Sequence, residues 1–111
     1  RFPEGTFDAY AGHVAAVPPR LLYERQNIGG SQLKIDNLSA FDGLPVMVFT
    51  GSDDTDHPND IDGAVVDWLI VAGAKAEYWW LPDRGVDGNG HMLMMEENSD
   101  ELADMIIGWV G

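Results

Sequence analysis

Leu44-Pro45-Val46-Met47-Val48-Phe49-Thr50 is an almost unbroken apolar run that stops at Gly51-Ser52-Asp53-Asp54. A strand with one wet face alternates apolar and polar residues, so a run without alternation predicts a strand covered on both faces, as in a parallel sheet. Beyond a very acidic loop (Thr55, Asp56, His57, Pro58, Asn59, Asp60), residues 61–72 place Ile61, Ala64, Val65, Trp68, Leu69 and Ala72 at three- and four-residue steps. Asp62 and Asp67 fall on a more polar side. Gly73 stands where such a helix would stop. Residues 75–81, with Tyr78-Trp79-Trp80, then read as a second strand whose aromatics serve packing. Strand, helix, strand is a βαβ unit, and its crossover makes the two strands parallel. The fold class is therefore α/β, with a parallel sheet and flanking helices.

Downstream, Leu81-Pro82-Asp83-Arg84-Gly85-Val86-Asp87-Gly88-Asn89-Gly90-His91 carries three glycines and delivers a histidine just before Met92-Leu93-Met94-Met95. The glycines permit sharp turns, and the apolar residues after His91 can anchor the far side of the loop in a core. The methionines are read mainly as core packing, although thioethers also suit an irregular ligand pocket. Asn98 and Glu101 have the spacing of a capping box, so a last helix is expected with Leu102, Ile106, Trp109 and Val110 on its apolar side, widened by Ala103 and Ile107.

Upstream, Pro18-Pro19 prevents a continuous helix. Residues 7–17 read as loop with one short helical turn, and residues 20–26 as a short helix or irregular arm. Gly29-Gly30 lacks the spacing and the lysine of a phosphate loop, and Ser31 lacks the flanking glycines of a nucleophile elbow. His13 has no acid or hydroxyl at a recognised spacing, which leaves it to packing or solvent.

Composition excludes several classes. With 6 Lys plus Arg against 19 Asp plus Glu, the formal net charge is -13, the wrong sign for nucleic acid or an anionic membrane. Cysteine is absent, so there is no thiol nucleophile, disulfide framework or cysteine zinc site. No apolar run is long enough to span a bilayer, and Arg1-Phe2-Pro3-Glu4 does not open a signal peptide.

Loops that follow parallel strands leave the same sheet edge, which brings Asp53-Asp54 and His91 to one rim despite their separation in sequence. A carboxylate there can fix the tautomer of an imidazole and leave its other nitrogen as a base. Residues 44–110, and above all Gly85-Val86-Asp87-Gly88-Asn89-Gly90-His91-Met92-Leu93-Met94, resemble the C-terminal part of α/β-hydrolases. Within them the histidine loop is similar to that of serine esterases related to bacterial secreted esterases and fungal α/β-hydrolase proteins.

The resemblance implies hydrolysis of a carboxylic ester without a cofactor, with His91 as the triad histidine. The triad acid would be Asp54, with Asp53 as a near alternative, or a carboxylate from an earlier strand outside these residues. A Gly-x-Ser-x-Gly elbow and an oxyanion-hole loop are not found in the chain. The resemblance therefore implies a partner: the upstream portion of the same hydrolase, carrying the nucleophilic serine and the oxyanion hole. On this reading residues 1–43 are a cap-like or connecting segment and residues 44–111 the C-terminal part of the hydrolase core. Secretion, and a homodimer of the complete protein, are compatible with the resemblance.

Two rival readings follow from the residues. One is a non-catalytic α/β interaction module that completes the fold of another chain. The other is an oxygen-ligand cation site built from Asp53, Asp54, Asp56, Asp60 and Asp62, although the calcium-loop pattern is missing.

Overall fold

The structure is a computed structural model that describes residues 2–32 and 34–111. Arg1 and Leu33 lie outside the described residues, so the reading of the N-terminus is met only from Phe2 onward. Six elements follow in order: helices α1 (Thr6–Ala11) and α2 (Pro19–Arg25), strand β1 (Pro45–Thr50), helix α3 (Asn59–Val71), strand β2 (Lys75–Trp80) and helix α4 (Ser99–Val110). Short 3-10 turns at Leu38–Phe41, Leu81–Arg84 and Leu93–Met95 connect them.

The two strands pair in parallel, in register from Pro45 opposite Lys75 to Thr50 opposite Trp80. The βαβ unit expected from the apolar run is thus observed, and both strands end at the same rim. Gly73, at φ 101°, turns the chain from α3 into β2 in a conformation that glycine adopts without strain. Its carbonyl accepts the N–H of Gly43 at 2.8 Å, and Lys75 N–H reaches the Leu44 carbonyl at 2.8 Å, so the entries to both strands are tied together.

Successive side chains of each strand face opposite ways. Phe49 and Trp79, whose rings lie 6.2 Å apart, share one face. Phe49 there packs on the buried cluster of Leu81, Val86 and Leu102, with Leu93 and Met105. The indoles of Trp79 and Trp109 both donate to Glu77, at 3.1 and 3.0 Å, which joins α4 to β2. Thr50 faces the other way and donates to Asp62 of α3 at 2.6 Å.

Both long helices are rotated from the faces that their apolar spacing predicts. In α3 the buried residues are Val66 and Leu69, while Ile61, Val65 and Trp68 are exposed. The bond from Thr50 turns Asp62, assigned to the polar side by its charge, inward. Helix α3 is apolar on nearly all sides, which is the pattern of a helix covered on more than one face. In α4 the inward residues are Leu102, Met105 and Trp109, and Ile106, Ile107 and Val110 are exposed.

The N-terminal third adds no side chain to this buried core. No residue of α1 or α2 is buried, and Phe7, Tyr10, Leu21, Leu22 and Tyr23 are exposed. The radius of gyration is 16.4 Å, against about 13 Å for a compact domain of roughly this length. Among the described residues no helix is long and apolar enough to cross a membrane.

Gly51, the first residue beyond β1, is buried directly against the backbone of the histidine loop, where a Cβ would overlap the carbonyl group and Cβ of Asn89. Backbone on the opposing side cannot rotate away as a side chain can. Gly51→Ala is therefore expected to destabilise the complete protein by about 3 kcal/mol, read from the midpoint of urea unfolding.

Candidate functional site

The rim is built from two loops that hydrogen-bond to each other. Asp53 N–H donates to the Asn89 carbonyl at 2.9 Å, and Gly88 N–H donates to Ser52 Oγ at 2.7 Å. On the far side, Gly90 N–H donates to the buried carboxylate of Glu96 at 2.9 Å. Asn89, only 2% exposed, exchanges two amide hydrogen bonds with Asn98, at 2.7 and 3.1 Å. A buried amide left unpaired costs free energy, so this exchange anchors the loop from beneath.

The Asn98 pairing corrects the capping-box expectation. Asn98 does stand at the N-terminus of α4, but its side chain makes no cap bond to the helix. It is committed to Asn89 instead. The same spacing that suggests a cap here serves a tertiary contact between α4 and the histidine loop.

Those anchors set His91 beside Asp54. His91 Nδ1 lies 3.1 Å from Asp54 Oδ2. The other oxygen, Oδ1, accepts the backbone N–H groups of Asp56 and His57, each at 2.9 Å, a turn of the kind aspartate forms with residues just ahead of it. The side chain of Asp54 is only 7% exposed, whereas that of His91 is 48% exposed. The acid is thus locked in the protein and the imidazole opens outward. A carboxylate only accepts, so Nδ1 is the donor in this contact, the arrangement that leaves Nε2 its lone pair in a neutral imidazole.

Burial by itself raises the proton affinity of Asp54. The His57 N–H, then the His91 side chain and the Asp56 N–H, outweigh it and hold the carboxyl below its ordinary range. A depressed folded-state pKa stabilises the fold above the ordinary carboxylate range, and that contribution disappears as pH falls through the depressed value. The stability difference between the complete protein and its Asp54→Asn variant is therefore expected to be full at neutral pH and to shrink on acidification. Urea unfolding from neutral pH to below pH ~4 checks it.

Asp53, its neighbour, is placed differently. Its backbone is engaged by Asn89, and its carboxylate accepts Ser52 Oγ–H at 3.2 Å. Of the two adjacent acids, it is Asp54 that meets His91.

A second histidine belongs to the constellation, one that the sequence offered only as part of an acidic loop. The His57 ring stacks on His91, with centroids 4.9 Å apart and planes at 20°. Its Nδ1 lies 3.1 Å from Asp62 Oδ1. The signal available in sequence was weak: a histidine three residues after Asp54, and an acid five residues further on.

Beside His91 lies a cavity of about 300 Å³, lined by Phe2, Phe7, Tyr10, Asp56, Met92 and Met95 together with His91 itself. Met92 and Met95 thus face this cavity, while Leu93 between them packs on the core. Met94 is exposed, so none of the three methionines packs in the core as expected; of the apolar residues after His91 only Leu93 does.

The remaining candidates fall elsewhere. Ser31 Oγ donates to the Tyr23 carbonyl at 3.0 Å, and His13 Nδ1 lies 2.8 Å from the Ala9 carbonyl, closing the end of α1. Asp53, Asp54, Asp56, Asp60 and Asp62 do not converge. Among the described residues no group of three or more His, Asp or Glu side chains is arranged to hold a metal ion.

Comparison with known proteins gives one relationship to report. A protein named probable secreted lipase phiG, from Fungal sp. (strain ATCC 74256), is 32% identical over 76 residues, covering 68% of this chain and 20% of its own length. The similarity is to a protein whose name is that of a secreted lipase. The chain spans about one fifth of the length of the curated relative it matches. No family model matches the chain, and no solved structure matches it.

Proposed function

We propose that this chain is the C-terminal part of a serine hydrolase of the α/β-hydrolase fold that cleaves carboxylic esters, with His91 as its proton carrier and Asp54 as the acid that orients it. The observation that carries the proposal is the 3.1 Å contact between His91 Nδ1 and the enclosed Asp54 carboxylate at the C-terminal rim of a parallel sheet. The lipase relationship supports the reaction class.

In this reading a serine supplied by the upstream portion attacks the ester carbonyl while His91 Nε2 takes its proton. The tetrahedral intermediate collapses as the bond to the alcohol oxygen breaks, and the imidazolium gives its proton to the departing alcohol. Water then attacks the acyl-serine, again losing a proton to Nε2. That proton returns to the serine as the carboxylic acid leaves. Asp54 keeps the proton on Nδ1 and stabilises the transient imidazolium. The oxyanion hole belongs to the upstream portion as well. The apolar cavity beside His91 suits the hydrocarbon part of the ester.

Residues 44–111 then form the end of the hydrolase core, and residues 1–43 a cap-like or connecting segment. Two features support a larger whole. A two-stranded parallel sheet with open edges is marginal by itself. The exposed Ile61, Val65 and Trp68 of α3, with the uncovered apolar side chains of α1 and α2, form surface that further chain would cover.

Stopped-flow hydrolysis of p-nitrophenyl acetate by the complete protein tests the reading. A burst of nitrophenolate close to one equivalent per active site, followed by slower turnover, is expected where the acyl-serine accumulates. No ester turnover by a folded complete protein would sink the proposal.

A further inference from the structure

We infer that His57 is a positioning residue that holds the plane of the His91 imidazole; the inference rests on the reading of His91 as the proton carrier. The contact with Asp54 restrains His91 at one atom only. The ring can still tilt about that hydrogen bond, and any tilt carries Nε2 away from the line along which it must meet a nucleophile. A flat neighbour pressed against the ring removes that freedom. His57 is such a neighbour, with centroids 4.9 Å apart and planes within 20° of parallel.

His57 is itself held at both ends. Its backbone N–H donates to Asp54 Oδ1 at 2.9 Å, so the carboxylate that bonds His91 through one oxygen fixes the His57 backbone through the other. Its ring nitrogen Nδ1 lies 3.1 Å from Asp62 Oδ1. Asp62 is anchored in turn by Thr50 Oγ1, which donates to Oδ2 at 2.6 Å from the last, buried residue of β1. Asp62 also sits in the first turn of α3, where a carboxylate is favoured by the helix dipole. The stack is therefore braced from the strand end and the helix start, the rigid parts of the βαβ unit, rather than from the loop alone.

His57 acts through His91 and touches no reacting atom in this account. Its loss should lower kcat with little effect on KM, because the misplacement is felt in proton transfer and not in holding the ester.

Steady-state hydrolysis of p-nitrophenyl acetate by the complete protein, with His57→Ala, His57→Phe and His91→Ala compared with wild type, tests this. His57→Ala is expected to lower kcat about tenfold while KM stays within about twofold, and His57→Phe, which restores a flat ring, to return kcat to within about threefold of wild type. With His91→Ala inactive, either of two results overturns the role of His57 and leaves that of His91 standing. One is wild-type kcat in His57→Ala; the other is a loss that His57→Phe does not relieve. Turnover that survives in His91→Ala overturns the proton-carrier reading, and this inference with it.

Discussion

Replacing His91 with alanine in the complete protein is expected to lower kcat for an ester substrate by about a thousandfold or more, with stability close to wild type. The size follows from the number of steps that use the ring. In the proposed mechanism both the attack of the serine and the departure of the alcohol move a proton through Nε2, and deacylation repeats the sequence with water. Folding should be little affected, because His91 is half exposed and its loop is anchored by Asn89, Gly88 and Gly90 rather than by the imidazole. Kinetics with p-nitrophenyl acetate, alongside thermal unfolding of the same preparation, read both quantities. Near wild-type turnover in the folded variant would remove His91 from the mechanism.

Asp54→Asn is expected to reduce kcat by about a hundredfold to ten-thousandfold. The carboxamide can still accept the N–H groups of Asp56 and His57 through its oxygen, which then points its NH₂ group at His91 Nδ1. A donor facing Nδ1 favours the opposite tautomer, with the proton on Nε2, where the lone pair is needed. Asp53→Asn serves as the control. Its carboxylate meets Ser52 and lies outside the Asp54–His91 contact, so turnover near wild type is expected. A fall of less than about fivefold in Asp54→Asn would assign the orienting acid to an upstream carboxylate.

The parallel pairing of the two strands was legible because residues 44–50 lack alternation and the helix between the strands demands a crossover. The common rim of the Asp54 and His91 loops followed from that topology alone. The choice between Asp53 and Asp54 did not, since adjacent loop residues share the topological argument and only the resemblance favoured Asp54. It depends on which backbone N–H groups are captured: Asn89 takes that of Asp53, and Asp54 takes those of Asp56 and His57.

Helix faces were less legible for a related reason. Apolar spacing in α3 fits more than one side, and the observed rotation buries Val66 and Leu69 and pairs Asp62 with Thr50. In α4, Met105 rather than Ile106 turns inward, beside Leu102 and Trp109. Asn98 shows the same limit locally, since the capping pattern is identical whether the amide bonds the helix or bonds Asn89. His57 was hidden among acids because its contact with His91 is a ring stack, which leaves no periodicity behind.

The central claim is that His91 serves a serine carried by the upstream portion of the protein. Its most direct test is peptide mass mapping of the complete protein after reaction with a fluorophosphonate, which phosphonylates an activated serine. The account predicts a stoichiometric adduct on a serine N-terminal to this 111-residue stretch, and its loss in His91→Ala. Labelling at the wild-type rate in that variant, or an adduct on Ser31, Ser39, Ser52 or Ser99 instead, would contradict it.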